Sequence, residues 1–383
     1  MISSLFIQNV RSFEQFEREF VPGINVVGGP NGCGKTSVLE SIHLLSQGFS
    51  FRAKELAELI RWNTPELIMR GEFESLGKSW NRGVCVGKRK SQARENGEDL
   101  RSVAGFFGKC PSVIMQPSDI ELLRGAPEVR RRWLDEILCF RSAANVATLR
   151  QYKRVLQQRN QWLRQFKQEG AAVGGDDLFH VLTDQLVELG ARLWAARVSL
   201  SSDISPVITG YYRKLSGGVD EITCAYRSSI FKSLDVVDEM SDAADGSAEA
   251  SMVGLDEAQF REAFGRKLSE MEKVEKTLGM TMAGPHRDDL DLCISGYAMR
   301  SAGSQGQCRS AALSMRFAAV DIASENLGKP ILLLDDIFAE LDLSRRDAVA
   351  SLIREKQCQV VIATPEPAEL PFQADSLMMI AKT

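Results

Sequence analysis

The chain has 383 residues, 44% hydrophobic and 26% charged, with a formal charge of −4, a length that gives one large or two ordinary domains with substantial cores. No charged-apolar-small leader pattern opens it and no uninterrupted apolar stretch approaches the length of a bilayer span, so no membrane association and a cytoplasmic location are expected. The eight cysteines form no C-x-x-C pair and have no histidine partners at metal spacing, which argues against a disulfide framework or a zinc site.

Leu5 to Val10 and Gly23 to Val27 read as strands, and the second runs into Gly29-Pro30-Asn31-Gly32-Cys33-Gly34-Lys35-Thr36. This is the G-x-x-x-x-G-K-T spacing in which backbone N–H groups cradle phosphates, Lys35 reaches the outer phosphates and the Thr36 hydroxyl binds Mg²⁺. Val38, Leu39, Ile42 and Leu45 follow at helical spacing, placing the loop at a helix N-terminus that favours anions. Cys33 is either a small residue tolerated in the loop or an oxidisable thiol. Leu67 to Phe73, Gly83 to Val86 and Ser112 to Met115 continue an α/β pattern.

From Pro127 to about Leu215 the pattern becomes long helices, with a break at Gly170 to Gly175, and Arg124 to Lys167 holds eleven Lys/Arg against three Asp/Glu. Arg130, Arg131, Arg132, Arg150, Lys153, Arg154, Arg159 and Arg164 are candidate DNA contacts, with Arg150 and Arg154 one helical turn apart; a solvated helix face is the plainer reading. Lys88-Arg89-Lys90 is a second basic candidate. No aromatics interleave these cations, so phosphate-dominated binding of duplex is expected rather than base stacking. Asp235 to Glu262 is acidic, and Met240 to Met252 reads as a flexible loop.

Beyond Gly284 the α/β pattern returns: a strand near Leu290 to Ile294, a helix Gln307 to Glu325, a strand Ile331 to Leu334, a helix Arg345 to Glu355 and a strand Gln359 to Ile362. The aliphatic strand ends in Asp335-Asp336, at the position where open α/β sheets bind ligands. Asp335 is expected to hold Mg²⁺, and Asp336 to orient or deprotonate the attacking water; helix-capping aspartates are the alternative. Ser304-Gln305-Gly306-Gln307 precedes a helix and is read either as its N-cap or as a loop that closes over a γ-phosphate.

The run Pro117-Ser118-Asp119-Ile120-Glu121-Leu122-Leu123-Arg124-Gly125-Ala126-Pro127, continued by Arg130-Arg131-Arg132-Trp133-Leu134-Asp135, resembles a signature of the bacterial RecF recombination-repair family. So do Gly284-Pro285-His286-Arg287-Asp288-Asp289 and Gly303-Ser304-Gln305-Gly306-Gln307, in matching order and separation. The resemblance implies an α/β fold: an SMC/ABC-type P-loop ATPase head, residues 1–125 and 283–383, with an inserted mainly helical arm domain, residues 126–282. It further implies an ATP-dependent homodimer in which Ser304, Gln305, Gly306, Gln307 and Asp342 of one subunit complete the other's nucleotide site. Slow DNA-stimulated ATP hydrolysis is implied too, as is binding to duplex and gapped DNA and mediator work with RecR and RecO that helps RecA load at gaps. Gln116 takes the place of a glutamine that senses metal and γ-phosphate, Thr364 that of a switch histidine, and His286 with Arg287 that of nucleotide or DNA contacts. Ser118, Ala126, Trp133 and Cys308 depart from the pattern. A structural chromosome tether and a small-molecule P-loop kinase are the competing readings; the arm is too short for an extended coiled coil.

Overall fold

A computed structural model describes residues 1–169, 176–218, 220–230 and 255–381. The Gly170 to Gly175 break and the acidic stretch Met240 to Met252 lie outside them. Two compact units emerge, Met1–Asp119 with Met315–Thr383, and Ile120–Ser314.

In the first unit a five-stranded parallel sheet runs in the order Ser376–Met379, Ile24–Gly28, Val360–Thr364, Ile331–Asp335, Ser112–Met115. Its central strands are continuous aliphatic runs because both faces are covered. The register pairs Thr364 with Gly28, Asp335 with Ala363 and Leu334 with Met115, so the C-terminal ends of four strands share one edge. A six-stranded antiparallel sheet follows the order Phe13–Glu19, Ile2–Val10, Glu66–Ser75, Lys78–Gly87, Ser91–Glu95, Glu98–Leu100. Its inward residues, among them Leu5, Ile7, Leu67, Met69, Val84 and Val86, share one core with Ile114, Leu333 and Val361 of the parallel sheet.

The helix Lys35–Gln47 belongs to that core through Val38, Leu39, Ile42, Leu44 and Leu45, each contributing about 1.5–3 kcal/mol of burial. Its polar side is buried as well, so those groups need internal partners. Glu40 pairs with Arg11 and accepts from the Ser50 hydroxyl. His43 Nδ1 lies 3.0 Å from the Ser112 hydroxyl. At the C-terminal end, the fully buried Arg82 donates to the Leu45 and Ser46 carbonyls at 2.8 and 2.9 Å and pairs with Glu95 at 3.1 Å. Gly48 closes the helix in the left-handed region.

The second unit contains the helices Pro127–Arg141, Ala143–Glu169, Asp176–Ser216 and Glu257–Leu278, and a three-stranded antiparallel sheet ordered Tyr297–Ala298, Asp289–Ile294, Ile222–Arg227. The six-residue register between Asp289–Ile294 and Ile222–Arg227 joins the stretch after 283 to this unit, so the compact units divide elsewhere than at 125/126 and 282/283. The helix from Glu257 begins inside the acidic segment Asp235 to Glu262, beyond the stretch Met240 to Met252 that reads as a loop. Asp256 and Gln259 form its reciprocal N-terminal cap, and Phe260, Phe264 and Leu268 supply its buried stripe. The helix Gln305–Leu327 starts in the second unit and ends in the first. No helix of the described residues is long and apolar enough to cross a membrane.

Candidate nucleotide site

The phosphate loop leaves the strand Ile24–Gly28 and enters the helix at Lys35. Two glycines are required by what surrounds them. Gly29 has φ 150°, and a Cβ there would lie 2.4 Å from the Ile380 carbonyl oxygen. Gly34 has φ 105°, and a Cβ would meet the Phe13 ring at 2.6 Å and the Ser12 hydroxyl at 2.7 Å. The first hairpin of the antiparallel sheet is thereby held against the loop. Pro30, Asn31 and Gly32 are exposed at the loop tip, whereas Cys33 is buried.

Lys35 Nζ donates to the Gly29 and Pro30 carbonyls at 2.7 and 2.9 Å. Its ammonium is thus held inside the loop, where a phosphate would replace two carbonyls as its partner. Thr36 Oγ1 donates to Asp335 Oδ1 at 2.9 Å. Residues 299 positions apart are brought together because the Asp335 strand lies one strand away from the loop's own strand, with their ends level. Hydroxyl and carboxylate oxygens at this separation are hard donors of the kind Mg²⁺ takes, alongside nucleotide oxygens.

Burial raises the Asp335 carboxyl above the ordinary carboxylate value, with the Thr36 hydrogen bond opposing it. Asp336 is raised by burial too, against the pull of Lys35. Its backbone sits at φ 52°, and its N–H donates to the Ala363 carbonyl at 2.9 Å. The next strand end presents Gln116, half-buried, its N–H donating to Asp119 Oδ2 at 2.9 Å. Thr364 is buried beside Gly28, and its hydroxyl accepts from the Glu366 N–H at 3.2 Å.

Ser304 is exposed. Its N–H donates to Gln307 Oε1 at 2.8 Å, and the Gln307 N–H donates back to Ser304 Oγ at 3.2 Å, a reciprocal cap for the long helix Gln305–Leu327. The Gln307 amide also donates to Asp220 at 2.7 Å, and Cys308 is buried one residue on. Capping and an exposed Ser304 hydroxyl therefore coexist, with Gln305 exposed and Gly306 half-buried beside it.

Several residues assigned from sequence also have structural partners. Asp342, expected at the nucleotide, is exposed and also caps Leu343–Lys356: its carboxylate accepts from the Arg345 N–H at 2.9 Å, from Ser344 Oγ and from the Arg345 guanidinium, which together hold it below the usual carboxylate range. His286, expected at nucleotide or DNA, is half-buried with Nδ1 2.7 Å from the Tyr152 hydroxyl, and desolvation lowers it to about 4. Arg287 is turned onto the Thr281 carbonyl and Met280. Asp288 is fully buried, accepting from Trp194, Tyr226 and the Ser229 N–H. His286 and Asp288 are thus tied into the framework of the second unit, while Arg287 between them is exposed.

The basic helices divide in the same way. Arg130, expected to contact DNA, is buried in a bidentate pair with Asp289 at 2.7 and 2.9 Å, and donates to the Gly125 carbonyl at 2.9 Å, leaving no face for a phosphate. Arg131 is half-buried and donates to the Asp288 carbonyl at 2.6 Å. Arg159 is buried against Glu275, Thr281 and the Phe179 ring. Arg132, Arg150, Lys153, Arg154 and Arg164 are exposed; Arg132 pairs loosely with Glu128 and Lys153 with Asp135, each at 3.3 Å. Composition alone does not mark the buried Glu40 and Arg82, or the half-buried Arg11 that pairs with Glu40, around the phosphate-loop helix.

A phosphate loop, a strand-end Asp335 against Thr36, and an antiparallel sheet flanking the loop define an SMC/ABC-type P-loop ATPase head. The family model of the RecF/RecN/SMC N terminal domain matches residues 1–98. The chain is 34% identical over 370 residues to the DNA replication and repair protein RecF of Geobacter metallireducens, covering 96% of this chain and 94% of that one. It is 31% identical over 364 residues to RecF of Bacillus subtilis, covering 95% and 93%. The chain belongs to the RecF family of DNA replication and repair proteins. A solved structure described as the recombination mediator protein RecF with ATP in the RecFOR pathway superposes with TM-score 0.85 at 28% identity, over 99% of this chain and 95% of that chain. An SMC head bound to the C-terminal winged-helix domain of ScpA shares the fold, with TM-score 0.53 at 16% identity.

Proposed function

We propose that the chain is a DNA-binding ATPase of recombinational repair and replication restart, acting in the cytoplasm, in which ATP joins two copies around DNA and slow, DNA-stimulated hydrolysis releases it. The observation that carries the reading is the 2.9 Å approach of Thr36 to Asp335, with Lys35 held in the loop between them and the strand edge. Thr36 and Asp335, with Gln116 on the adjacent strand end, would hold Mg²⁺, which neutralises phosphate charge when bound. The backbone N–H groups of the Gly29 to Thr36 loop, Pro30 excepted, bind the phosphates, and Lys35 exchanges two carbonyls for phosphate oxygens. Asp336 orients the attacking water, its short side chain suiting a switch with slow turnover.

The exposed Ser304, at the N-terminus of a 23-residue helix, is suited to cover a nucleotide held by a second copy, with Gln305, Gly306 and Gln307 beside it. Asp342, exposed at the N-cap of its own helix, stays in this proposed set, since capping leaves its side chain accessible. By likeness to the RecF proteins above, the clamp works with RecR- and RecO-type mediators at gaps and helps RecA load. Sizing chromatography with light scattering tests the model. ATP should convert monomer to dimer, Lys35→Met should abolish both nucleotide binding and the conversion, and Ser304→Arg should block only the conversion. A single oligomeric state with and without ATP refutes it.

A further inference from the structure

Trp62 is 89% exposed, an unusual position for the side chain with the largest apolar area. It is also held firmly in place. The Arg61 N–H donates to the Asn9 carbonyl at 2.9 Å, and Thr64 returns its N–H and hydroxyl to the Arg61 carbonyl at 3.2 and 2.8 Å. Asn63 takes the left-handed conformation, and the Arg61 guanidinium pairs with Glu14 at 3.3 Å. The indole is therefore presented on a preorganised turn.

Strand pairing decides what lies beside it. Glu66, which begins the strand after this turn, pairs with Gly87, and a Cβ on Gly87 would sit 4.0 Å from the Pro65 carbonyl oxygen. Gly87 leads directly into Lys88-Arg89-Lys90, a hairpin closed by its own N–H donating to the Lys90 carbonyl at 2.9 Å. All three cations are exposed, and among the described residues none of their side chains is engaged in an ion pair. Of the carboxylates on these strands, Glu14 is already paired with Arg61 and Glu66 lies beside Cys85. The same end of the sheet carries Ser12 and Phe13 against the phosphate loop.

An aromatic that docks on protein sits in an apolar, water-excluding patch. Trp62 has Arg61, Asn63 and Thr64 as its chain neighbours instead, and strand register brings its turn to the sheet end that carries the three cations. That pairing of an exposed π-face with phosphate-binding charge is how single-stranded nucleic acid is held. We propose that this sheet end binds a single-stranded segment of DNA, with Lys88, Arg89 and Lys90 on consecutive phosphates and Trp62 stacked on an unpaired base. The inference rests on the proposed DNA-binding function and assigns it a surface on the ATPase unit.

Fluorescence anisotropy across a salt range, on the full chain with a blunt duplex and with the same duplex bearing a single-strand overhang, tests it. Trp62→Ala should weaken overhang binding about 5- to 150-fold, the equivalent of one base stack, without changing the salt slope or blunt-duplex binding. Trp62→Phe should restore most of the loss. The triple variant Lys88→Ala, Arg89→Ala, Lys90→Ala should lower the overhang slope by about 0.7 for each phosphate that is no longer neutralised. Overhang DNA should also shield Trp62 from iodide quenching, the other four tryptophans being buried or half-buried. If the wild-type chain binds DNA and the variants match it on every substrate, this site is wrong while the function stands. Equal loss on blunt and overhang substrates in Trp62→Ala removes the stacking role. If the wild-type chain binds no DNA, both readings fall.

Discussion

Asp335→Asn should move stability in opposite directions depending on nucleotide. Without nucleotide, the native state keeps a carboxylate in a buried place that raises its pKa. The folded chain therefore holds the Asp335 proton more tightly than the unfolded chain does. The resulting stabilisation is complete below the unfolded value and is lost as pH rises through the folded one, so at neutral pH the charge is carried at a cost. Asparagine keeps the oxygen that accepts from Thr36 and removes the charge. Relief of a functional carboxylate of this kind typically gains about 0.5–2 kcal/mol, which for a unit of this size raises the melting temperature by about 1–8 °C.

The gain should shrink as pH falls toward the ordinary carboxylate range, where the wild-type side chain is protonated in both states. With Mg²⁺ and ATP at a hundredfold excess over Kd, the wild-type protein should be stabilised by about 2.7 kcal/mol, a rise of about 5–11 °C. The variant should lose most of that increment. Differential scanning fluorimetry over pH, with and without nucleotide and EDTA, reads both effects. If Asp335→Asn destabilises the nucleotide-free protein, or keeps the full increment with Mg²⁺ and ATP, the assignment of Asp335 to the metal is wrong.

Arg82→Met should destabilise the first unit by about 3–5 kcal/mol, the range for breaking a buried pair. The lower part of that range is expected because Lys109 still pairs with Glu95; a urea midpoint unchanged within error would show that the guanidinium does not hold the Leu45 and Ser46 carbonyls. Arg130→Ala should cost a similar amount in the second unit by stranding Asp289, whereas Arg154→Glu should leave stability within about 0.5 kcal/mol and lower the salt slope of duplex binding. An Arg130→Ala protein as stable as wild type but defective on DNA would reverse that division. Burial, with Arg316 adding to it, lowers His43 to about 3. Its contribution is therefore complete above pH 6.5 and is lost as pH falls from there toward the folded value, since the unfolded chain takes up the proton first. Urea midpoints of the first unit should fall on acidification, and His43→Gln should flatten the decline; an equal decline in both proteins would assign it to other groups.

What was legible in the sequence was whatever its neighbours in the chain define. The phosphate loop is a contiguous motif between a strand and a helix, and Asp335 closes an unbroken aliphatic run, so each half of the site could be read before the fold joined Thr36 to Asp335. The basic run failed for a geometric reason: successive residues on a helix turn by about 100°, so Arg130, Arg131 and Arg132 cannot face one way, and the structure places the first inside and the third outside. Gly284 to Asp289 failed for a chemical one. A string of His, Arg and Asp looks the same whether its hydrogen bonds go to a ligand or to Tyr152, Trp194 and Tyr226, and it is the burial of Asp288 that assigns it to the framework. The absence of aromatics among the cations describes the linear sequence, whereas the proposed single-strand site depends on the fold. Trp62 lies 26 positions before Lys88, and the pairing of Glu66 with Gly87 brings their two turns to one edge. The base-stacking surface proposed above depends on strand register, which is why neither spacing nor composition points to it.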